Sequence, residues 1–227
     1  MFSNFINIIA GPAEAFTSIK AKPTVLVPLL LIAALTASVQ WGYFHAVDRD
    51  FMIEQLIAQQ QAFVNVPEDQ LRAAMENITP TRVAIQSVVS IMIIVPLIMA
   101  IYAGYLALIS KFTYDEIRYK QWFSLTCWTG IPAIFVALAG WVVILMNNDG
   151  LISLQDVNPL TLNALVFQTE GRFASLLNNI NLVQIWSVAL LVMGYKQWTG
   201  KSGAKAAAIV LAPYLIILAI VITVILL

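Results

Sequence analysis

Cysteine and histidine each occur once in this sequence, as Cys127 and His45, and only 11% of the residues are charged. A single cysteine excludes an intrachain disulfide and a cage of thiolate ligands around a metal ion. A single histidine argues against a histidine-rich metal site and against a Ser-His-Asp triad. The sequence therefore predicts no enzymatic activity, no catalytic residues, no metal ion and no cofactor.

Charged residues are also too few to cover a soluble domain, in which they make up roughly 25% of the chain. Hydrophobic residues occupy 60% of the 227 positions, and the mean hydropathy is +0.85. Lys and Arg together number 12, as do Asp and Glu, so no net positive charge attracts nucleic acid. The apolar residues are collected in runs long enough to cross roughly 30 Å of hydrocarbon, which predicts an integral membrane protein.

Five of these runs have the length expected of membrane-spanning helices, so the predicted fold is an all-α polytopic transmembrane bundle. No charged residue lies in the central portion of any run, which weakens the case for ion or proton coupling. We assign the polar residues within the runs, such as Thr36, Gln40 and Gln184, to hydrogen bonds between helices. The predicted spans cover approximately residues 24–44, 83–109, 122–146, 180–195 and 206–227.

The fourth run is the shortest, with about 24 Å of helix, and the distribution of charge argues for counting it. With five spans, eight of the twelve cations fall on one side, in the N-terminal segment and in the two loops after the second and fourth spans. The other side carries four arginines and most of the acids. Because cytoplasmic loops are rich in Lys and Arg, the sequence predicts a cytoplasmic N-terminus and an extra-cytoplasmic C-terminus.

Residues 1–23 precede the first span and are predicted to form an interfacial segment with a break at Gly11. We consider this segment, together with the basic turn between the fourth and fifth spans, the candidate contact surface for lipid headgroups or a partner. The candidate contact residues are Pro12, Phe16, Lys20, Lys22, Lys196, Lys201 and Lys205.

The extra-cytoplasmic loop at residues 47–82 is predicted to form two amphipathic helices divided near Pro67. His45 and the nearby acids Asp48, Asp50 and Glu54 have the residue types of a metal site, but a solvated helix end explains them better. On the cytoplasmic side, the same reasoning assigns Asp115 to a local surface cluster with its basic neighbours.

Small residues at four-residue spacing recur in the spans, for example Ala33 with Ala37 and Ala133 with Ala137. Such spacing allows helices to approach closely, within one chain or between chains. The expected partners are therefore the lipid bilayer and either a membrane-protein partner or a second copy of the chain.

Two short segments combine prolines with aromatic residues near predicted spans. The first is residues 11–19 (GPAEAFTSI) with Pro23 and Pro28, before the first span. The second is residues 122–125 (WFSL) leading to 130–132 (GIP), at the start of the third span. These segments resemble the Yip family, five-span membrane proteins named for interaction with Ypt/Rab GTPases, in its proline, aromatic, proline pattern before the first span and in its third-span entry. The resemblance implies one Yip-like transmembrane domain over residues 1–227. Only about 23 residues precede the first span, which is similar to the bacterial branch. The resemblance therefore implies a location in the cytoplasmic (inner) membrane of a bacterium.

These observations predict a non-enzymatic integral membrane protein of the Yip type that acts as a scaffold for lipids or partners. The alternative is a transporter or channel for a small solute or lipid, because prolines such as Pro96, Pro132 and Pro213 can bend helices around a cavity. A membrane enzyme acting on lipid ranks last, because the sequence shows no cluster of nucleophile, base or metal ligands.

Overall fold

The structure, a computed structural model, describes residues 2–61, 66–169 and 172–226. Regular structure in these residues is helical, apart from one isolated β-bridge between Thr161 and Asn181. Most of the helices are α-helices, and Asn163–Phe167 forms a π-helical turn. The α-helices in chain order are α1 (Phe2–Ala10), α2 (Pro12–Ala21), α3 (Leu26–Ala46), α4 (Arg49–Gln61), α5 (Glu68–Met75), α6 (Pro80–Phe112), α7 (Tyr119–Thr129), α8 (Ala133–Met146), α9 (Arg172–Asn178), α10 (Leu182–Thr199) and α11 (Gly203–Leu226).

The long helices alternate in direction between two ends of one bundle. At one end, which we call the basic end, Lys20 at the end of α2 contacts Trp198 at the end of α10. Asp115, just after α6, pairs there with Lys201, just before α11. At the opposite end the N–H of Asp48, after α3, donates to the carbonyl of Gly150, after α8, at 2.9 Å. The starts of α3 and α11 and the ends of α6 and α10 therefore lie at the basic end.

Local sequence accounts for where the helices start, break and end. Thr79 caps α6 by accepting the N–H of Arg82 at 3.3 Å, and a proline follows at the first helical position. The predicted third span is broken into α7 and α8 at Gly130 and Pro132, because proline cannot donate a backbone hydrogen bond. Gly200 ends α10 with a φ of +67°, a left-handed conformation in which glycine is favoured.

Four helical stretches of the described residues are long and apolar enough to cross a membrane: Leu26–Ala46, Pro80–Phe112, Tyr119–Met146 and Gly203–Val224. The fourth predicted span corresponds to α10, which covers 182–199 rather than 180–195. Its 18 residues give about 27 Å of helix at 1.5 Å per residue. Gln184, Lys196 and Gln197 make α10 more polar than the other four stretches, and it is not among them.

The outward faces of α6 and α11 are covered with exposed apolar side chains. Ile93 on α6 is 60% exposed and Val224 on α11 is 70% exposed, and similar residues recur along both helices. Soluble monomers rarely expose contiguous apolar patches of more than a few hundred Å². We therefore take these faces to contact the hydrocarbon of a bilayer, which agrees with the predicted multi-pass membrane protein.

Buried side chains form two clusters, one toward each end of the bundle. The cluster at the basic end is centred on α7, whose Trp122, Leu125 and Trp128 are fully buried among α2, α3, α6 and α10. The cluster at the opposite end packs α4 and α5 against α3 and α8, with Met52 and Met75 among its buried members. The loop helices on either side of Pro67 thus share a core with the bundle.

Close packing of α3 against α8 depends on the absence of a side chain at Gly42. A Cβ atom at this position would lie 2.5 Å from Cη2 of Trp141, whose Nε1 is held by the hydroxyl of Ser38 at 3.1 Å. We expect Gly42→Ala to destabilise the protein by about 1–3 kcal/mol, because overpacking outweighs the better helix propensity of alanine. The apparent melting temperature in detergent micelles should fall.

The matched control is Gly104→Ala in α6, where the nearest atom to a new Cβ is Cε2 of Tyr119 at 4.0 Å. With space available, alanine should stabilise the helix by about 0.4–1 kcal/mol, partly by restricting the unfolded chain. Equal shifts in melting temperature for the two variants would contradict the close contact between Gly42 and Trp141.

Candidate functional site: the basic end of the bundle

The N-terminal helix α2 is docked into the bundle through the apolar face that the sequence assigned to the membrane interface. Phe16 and Ile19 on this face are fully buried, and α2 packs against α7 and α10. Ile8 of α1 is also fully buried, whereas Ile6 and Ile9 on α1 remain exposed. The N-terminal segment therefore packs against protein along one face and keeps apolar side chains exposed on α1.

Side chains at the end of α10 hold the backbone of α2 in place. Nε1 of Trp198 donates to the carbonyl of Phe16 at 3.0 Å. Nε2 of Gln197 donates to the carbonyl of Ala13 at 2.9 Å and to the hydroxyl of Thr17 at 3.0 Å. Two neighbouring residues thus bind successive turns of the same helix, which fixes both its position and its direction.

Lys20 joins three segments at the end of α2. Its Nζ donates to the carbonyl of Trp198 at 3.0 Å and lies 6.0 Å from the centre of the Trp198 ring. Its own carbonyl accepts a hydrogen bond from Nε2 of Gln121 in α7 at 2.9 Å. A cation near the C-terminus of a helix also interacts favourably with the helix dipole, here that of α10.

The extended residues between α2 and α3 are bound to α7 in the same way. Ser124 accepts the N–H of Thr24 at 3.1 Å and donates its hydroxyl to the carbonyl of Thr24 at 2.8 Å. Nε1 of Trp128 donates to the same carbonyl at 3.0 Å. These bonds satisfy backbone groups that would otherwise be buried without partners next to the first span.

An aromatic cluster connects α7 with α10 beneath these contacts. The rings of Trp122 and Tyr195 are stacked with centroids 5.2 Å apart, and Trp198 lies 5.5 Å from Trp122. Nε1 of Trp122 donates to the hydroxyl of Ser110 in α6 at 2.9 Å. Tryptophan requires such a partner when its ring is buried. The cluster therefore fixes the relative positions of α6, α7 and α10.

An ion pair between Lys201 and Asp115 joins the two connections that meet at this end. The side chains are only 18% and 13% exposed, and Lys201 also lies 5.7 Å from the ring centre of Tyr195. The hydroxyl of Thr113 donates to the carboxylate of Asp115. The sequence assigned Asp115 to a local cluster with its neighbours Arg118 and Lys120. That assignment is wrong, because its partner lies 86 residues further along the chain.

The candidate contact residues predicted from the sequence are all at the basic end, in three environments. Phe16 is buried, and Pro12, at the start of α2, is half-buried. Lys20 and Lys201 make the internal contacts described above. The exposed cations of the set are Lys22, Lys196 and Lys205.

Three further cations at this end are exposed beside the predicted ones, namely Lys111, Arg118 and Lys120. These three cations supported the predicted orientation in the membrane, but they were not among the predicted contact residues. Sequence reasoning also missed Gln121, Gln197 and Trp198, which position the N-terminal helix. Tryptophan at the end of a span is a recognised signal for the membrane boundary, but it does not reveal a hydrogen bond to a distant segment.

The residue types that suggested a metal site at the opposite end have structural roles. His45 stacks on Trp41 with ring centroids 4.4 Å apart, and its Nδ1 lies 2.8 Å from the carbonyl of Trp41. The carboxylate of Asp48 accepts the N–H groups of Asp50 and Phe51 and so caps α4. No group of three or more potential metal ligands occurs among the described residues.

The fold and this site define a multi-pass helical membrane protein with a basic surface at one end, built from segments that hydrogen-bond to one another. The chain matches the family model of the Yip1 domain over residues 6–225 and belongs to that family. It is 26% identical over 220 residues to membrane protein YknW of Bacillus subtilis (strain 168). The aligned region covers 94% of this chain and 87% of that protein. No solved structure matches the chain. The resemblance predicted from residues 11–19 and 122–132 is thereby confirmed.

Proposed function

We propose that this protein is a non-enzymatic membrane scaffold that crosses the bacterial inner membrane five times, with its basic end in the cytoplasm. The N-terminus is then cytoplasmic and the C-terminus extra-cytoplasmic. In this orientation α10 is the fourth crossing, since it runs between the same two ends as the other long helices. Its 18 residues, about 27 Å of helix, nearly match the thickness of the hydrocarbon.

The distribution of charge supports this orientation. Eight of the twelve Lys and Arg residues belong to the segments that meet at the basic end, together with three of the twelve acids. The positive-inside rule places such an end in the cytoplasm. Lys205, at the start of α11, would lie on the wrong side if α10 did not cross the membrane.

The main support for the proposed function is the set of contacts that hold the segments of the basic surface together. Three segments distant in sequence are bound to one another by side-chain hydrogen bonds and one shielded ion pair. The internal contacts of Lys20 and Lys201 leave six other cations exposed on a fixed framework. Each exposed Lys or Arg near a membrane surface attracts anionic lipid by about 1 kcal/mol. The same surface fits an acidic segment of a partner protein.

The alternative, a channel or transporter, has less support. Trp122, Trp128 and Tyr195 are fully buried at the centre of the basic end. A solute crossing there would have to displace these large side chains and break the bonds that Trp122 makes with Ser110 and Trp128 makes with Thr24. Such a packed centre suits a protein that presents a binding surface to lipids or partners rather than one that conducts a solute.

Site-specific photo-crosslinking in native membranes tests the scaffold function. A photoreactive residue introduced at Lys22, Lys120 or Lys205 should give a reproducible lipid or protein adduct, identified by mass spectrometry. The matched controls are Glu54 and Gln60, exposed positions on α4 at the opposite end. We expect no adduct with the same partner there. Absence of any adduct at the basic end, combined with solute flux through the protein in liposomes, would favour the transporter instead.

A further inference from the structure

A partly open cavity of about 350 Å³ lies among the helices, away from the basic end. It is bounded by α3, α8 and α10 and by the loop that follows α8. Its volume is at the lower end of the range for small-ligand sites, roughly 300–1,000 Å³. The polar residues among its lining are Thr36 and Gln40 on α3, Asn158 in the loop, and Asn181, Gln184 and Ser187 on or next to α10.

These polar groups differ in whether the protein already satisfies them. Asn181 accepts the N–H of Val183 at 2.8 Å and donates to Asn158 at 2.7 Å, so both asparagines have structural partners. The side chains of Gln40, which is half-buried, and Gln184, which is exposed toward the groove described below, have no protein hydrogen-bond partner among the described residues. Unpaired amides are costly in a hydrocarbon environment, so these two are suited to bind a ligand or water.

The chemistry of the lining restricts the ligand to an uncharged one. Among the residues that the structure describes, those that line the cavity include neither Asp, Glu, Lys, Arg nor His. A charged group placed there would lose its hydration without gaining a counter-ion, at a large cost in free energy. Hydroxyl, ester carbonyl or amide groups, by contrast, would find amide donors and acceptors on two helices.

An apolar groove adjoins this cavity on the outside of α10. It has a volume of about 540 Å³ between α9, α10 and α11. Gln184 lines both the cavity and the groove. The polar lining residues of the groove are Ser175, Asn179, Gln184 and Tyr214, and the others are aliphatic, such as Ile185, Val188, Leu211 and Leu218. Its α11 wall continues onto the exposed apolar face of that helix.

We propose that the cavity and the groove together bind one uncharged amphipathic lipid of the acylglycerol type. Its hydroxyl and ester groups lie in the cavity against Gln40 and Gln184, and its hydrocarbon chain lies in the groove between α10 and α11. The assignment is independent of the basic end and of the scaffold function proposed above. A bilayer supplies such a lipid laterally, along the face of α11.

The test uses the purified protein in phosphatidylcholine nanodiscs with a monooleoylglycerol analogue that carries a diazirine in its acyl chain. Peptide mapping should locate adducts on α10 and α11, around Val188 and Leu218. Excess unlabelled monooleoylglycerol should compete, and lysophosphatidic acid of the same chain length should not, because its phosphate is charged. Gln40→Leu and Gln184→Leu should each reduce labelling by about fivefold, the loss expected for one hydrogen bond.

The control is Gln86→Leu, the same substitution at an exposed position of α6 that lines neither space. It should leave labelling of α10 and α11 unchanged. Because Gln→Leu removes an unpaired amide, the melting temperatures of the two cavity variants should not fall, which confirms that they are folded. Equal labelling of the outer face of α6, equal competition by the anionic lipid, or no effect of the cavity variants would each overturn the assignment.

Discussion

Trp198→Ala should release the N-terminal helices from the bundle and destabilise the protein by about 3–5 kcal/mol, the usual cost of removing a buried tryptophan. The substitution removes the hydrogen bond from Nε1 to the carbonyl of Phe16. It also removes the ring next to Nζ of Lys20 and the contact with Trp122. Gln197 would still bind Ala13 and Thr17, but no other residue of α10 makes all the contacts of Trp198, so α2 should lose a large part of its attachment.

Limited proteolysis and thermal unfolding in detergent micelles measure the two parts of this effect. Residues 2–21 should become cleavable, and the apparent melting temperature should fall. Trp198→Phe keeps a ring but not the donor and should lose a smaller amount, about 1 kcal/mol for the hydrogen bond. Trp41→Ala is the control, because Trp41 is 43% exposed and, within the described part of the chain, its ring stacks on His45 alone. Protection of residues 2–21 in Trp198→Ala would contradict the docking of α2.

Asp115→Asn should destabilise the protein by about 3–5 kcal/mol, because it leaves Lys201 as an unpaired charge in a largely buried position. The connection between α6 and α7 and the one between α10 and α11 would then separate. The effect is measured as a fall in apparent melting temperature in micelles at neutral pH.

A second variant distinguishes the unpaired charge from a simple loss of attraction. In the double variant Asp115→Leu with Lys201→Met, both charges are replaced by apolar groups, so most of the stability should return. Glu116→Gln is the control, since Glu116 is exposed in the same connection, and it should change stability by less than about 0.5 kcal/mol. If Asp115→Asn resembles this control, the ion pair contributes nothing and the two connections are held together by other contacts.

The membrane class and the approximate helix positions could be predicted from the sequence, because the signal is local. The runs that became α6 and α11 are apolar on all sides and lack central charges, and hydrocarbon contact requires this composition. The location of the cations likewise predicted that Lys22, Lys120 and Lys205 lie at the same end of the bundle. The composition of α10 also shows that it is more polar than the other long helices. Its hydropathy alone does not identify it as a span, so its crossing of the membrane is part of the proposed function.

The docking of the N-terminal helices could not be predicted, because it depends on contacts between distant residues. The spacing of Ala15, Phe16 and Ile19 identifies an apolar face, but a face that meets lipid has the same periodicity as one that meets protein. The hydrogen bond from Lys20 to Trp198 joins residues 178 positions apart. The ion pair of Asp115 was misassigned for the same reason, since nearby cations were considered and a distant one was not.

The polar residues within the spans show a similar division. The sequence assigned them to hydrogen bonds between helices, and Ser38 accepts one from Trp141 on α8. Thr126 and Thr129, however, donate to carbonyls of their own helix. Gln40 and Gln184 line the cavity instead. Helical periodicity cannot separate these cases, because the outcome depends on whether a neighbouring helix fills the space beside each side chain.

Accessibility of single cysteines to a membrane-impermeant maleimide tests the proposed topology most directly. The native Cys127 is fully buried and should not react with the maleimide. Labelling of each single-cysteine variant therefore reports on the introduced cysteine alone, and the variants are Lys22→Cys, Lys120→Cys, Lys205→Cys and Gln60→Cys. In intact spheroplasts we expect only Gln60→Cys to be labelled, with the three lysine positions reacting once the membrane is opened. Labelling of Lys205→Cys from outside while Lys120→Cys stays protected would show that α10 does not cross and would contradict the five-span arrangement.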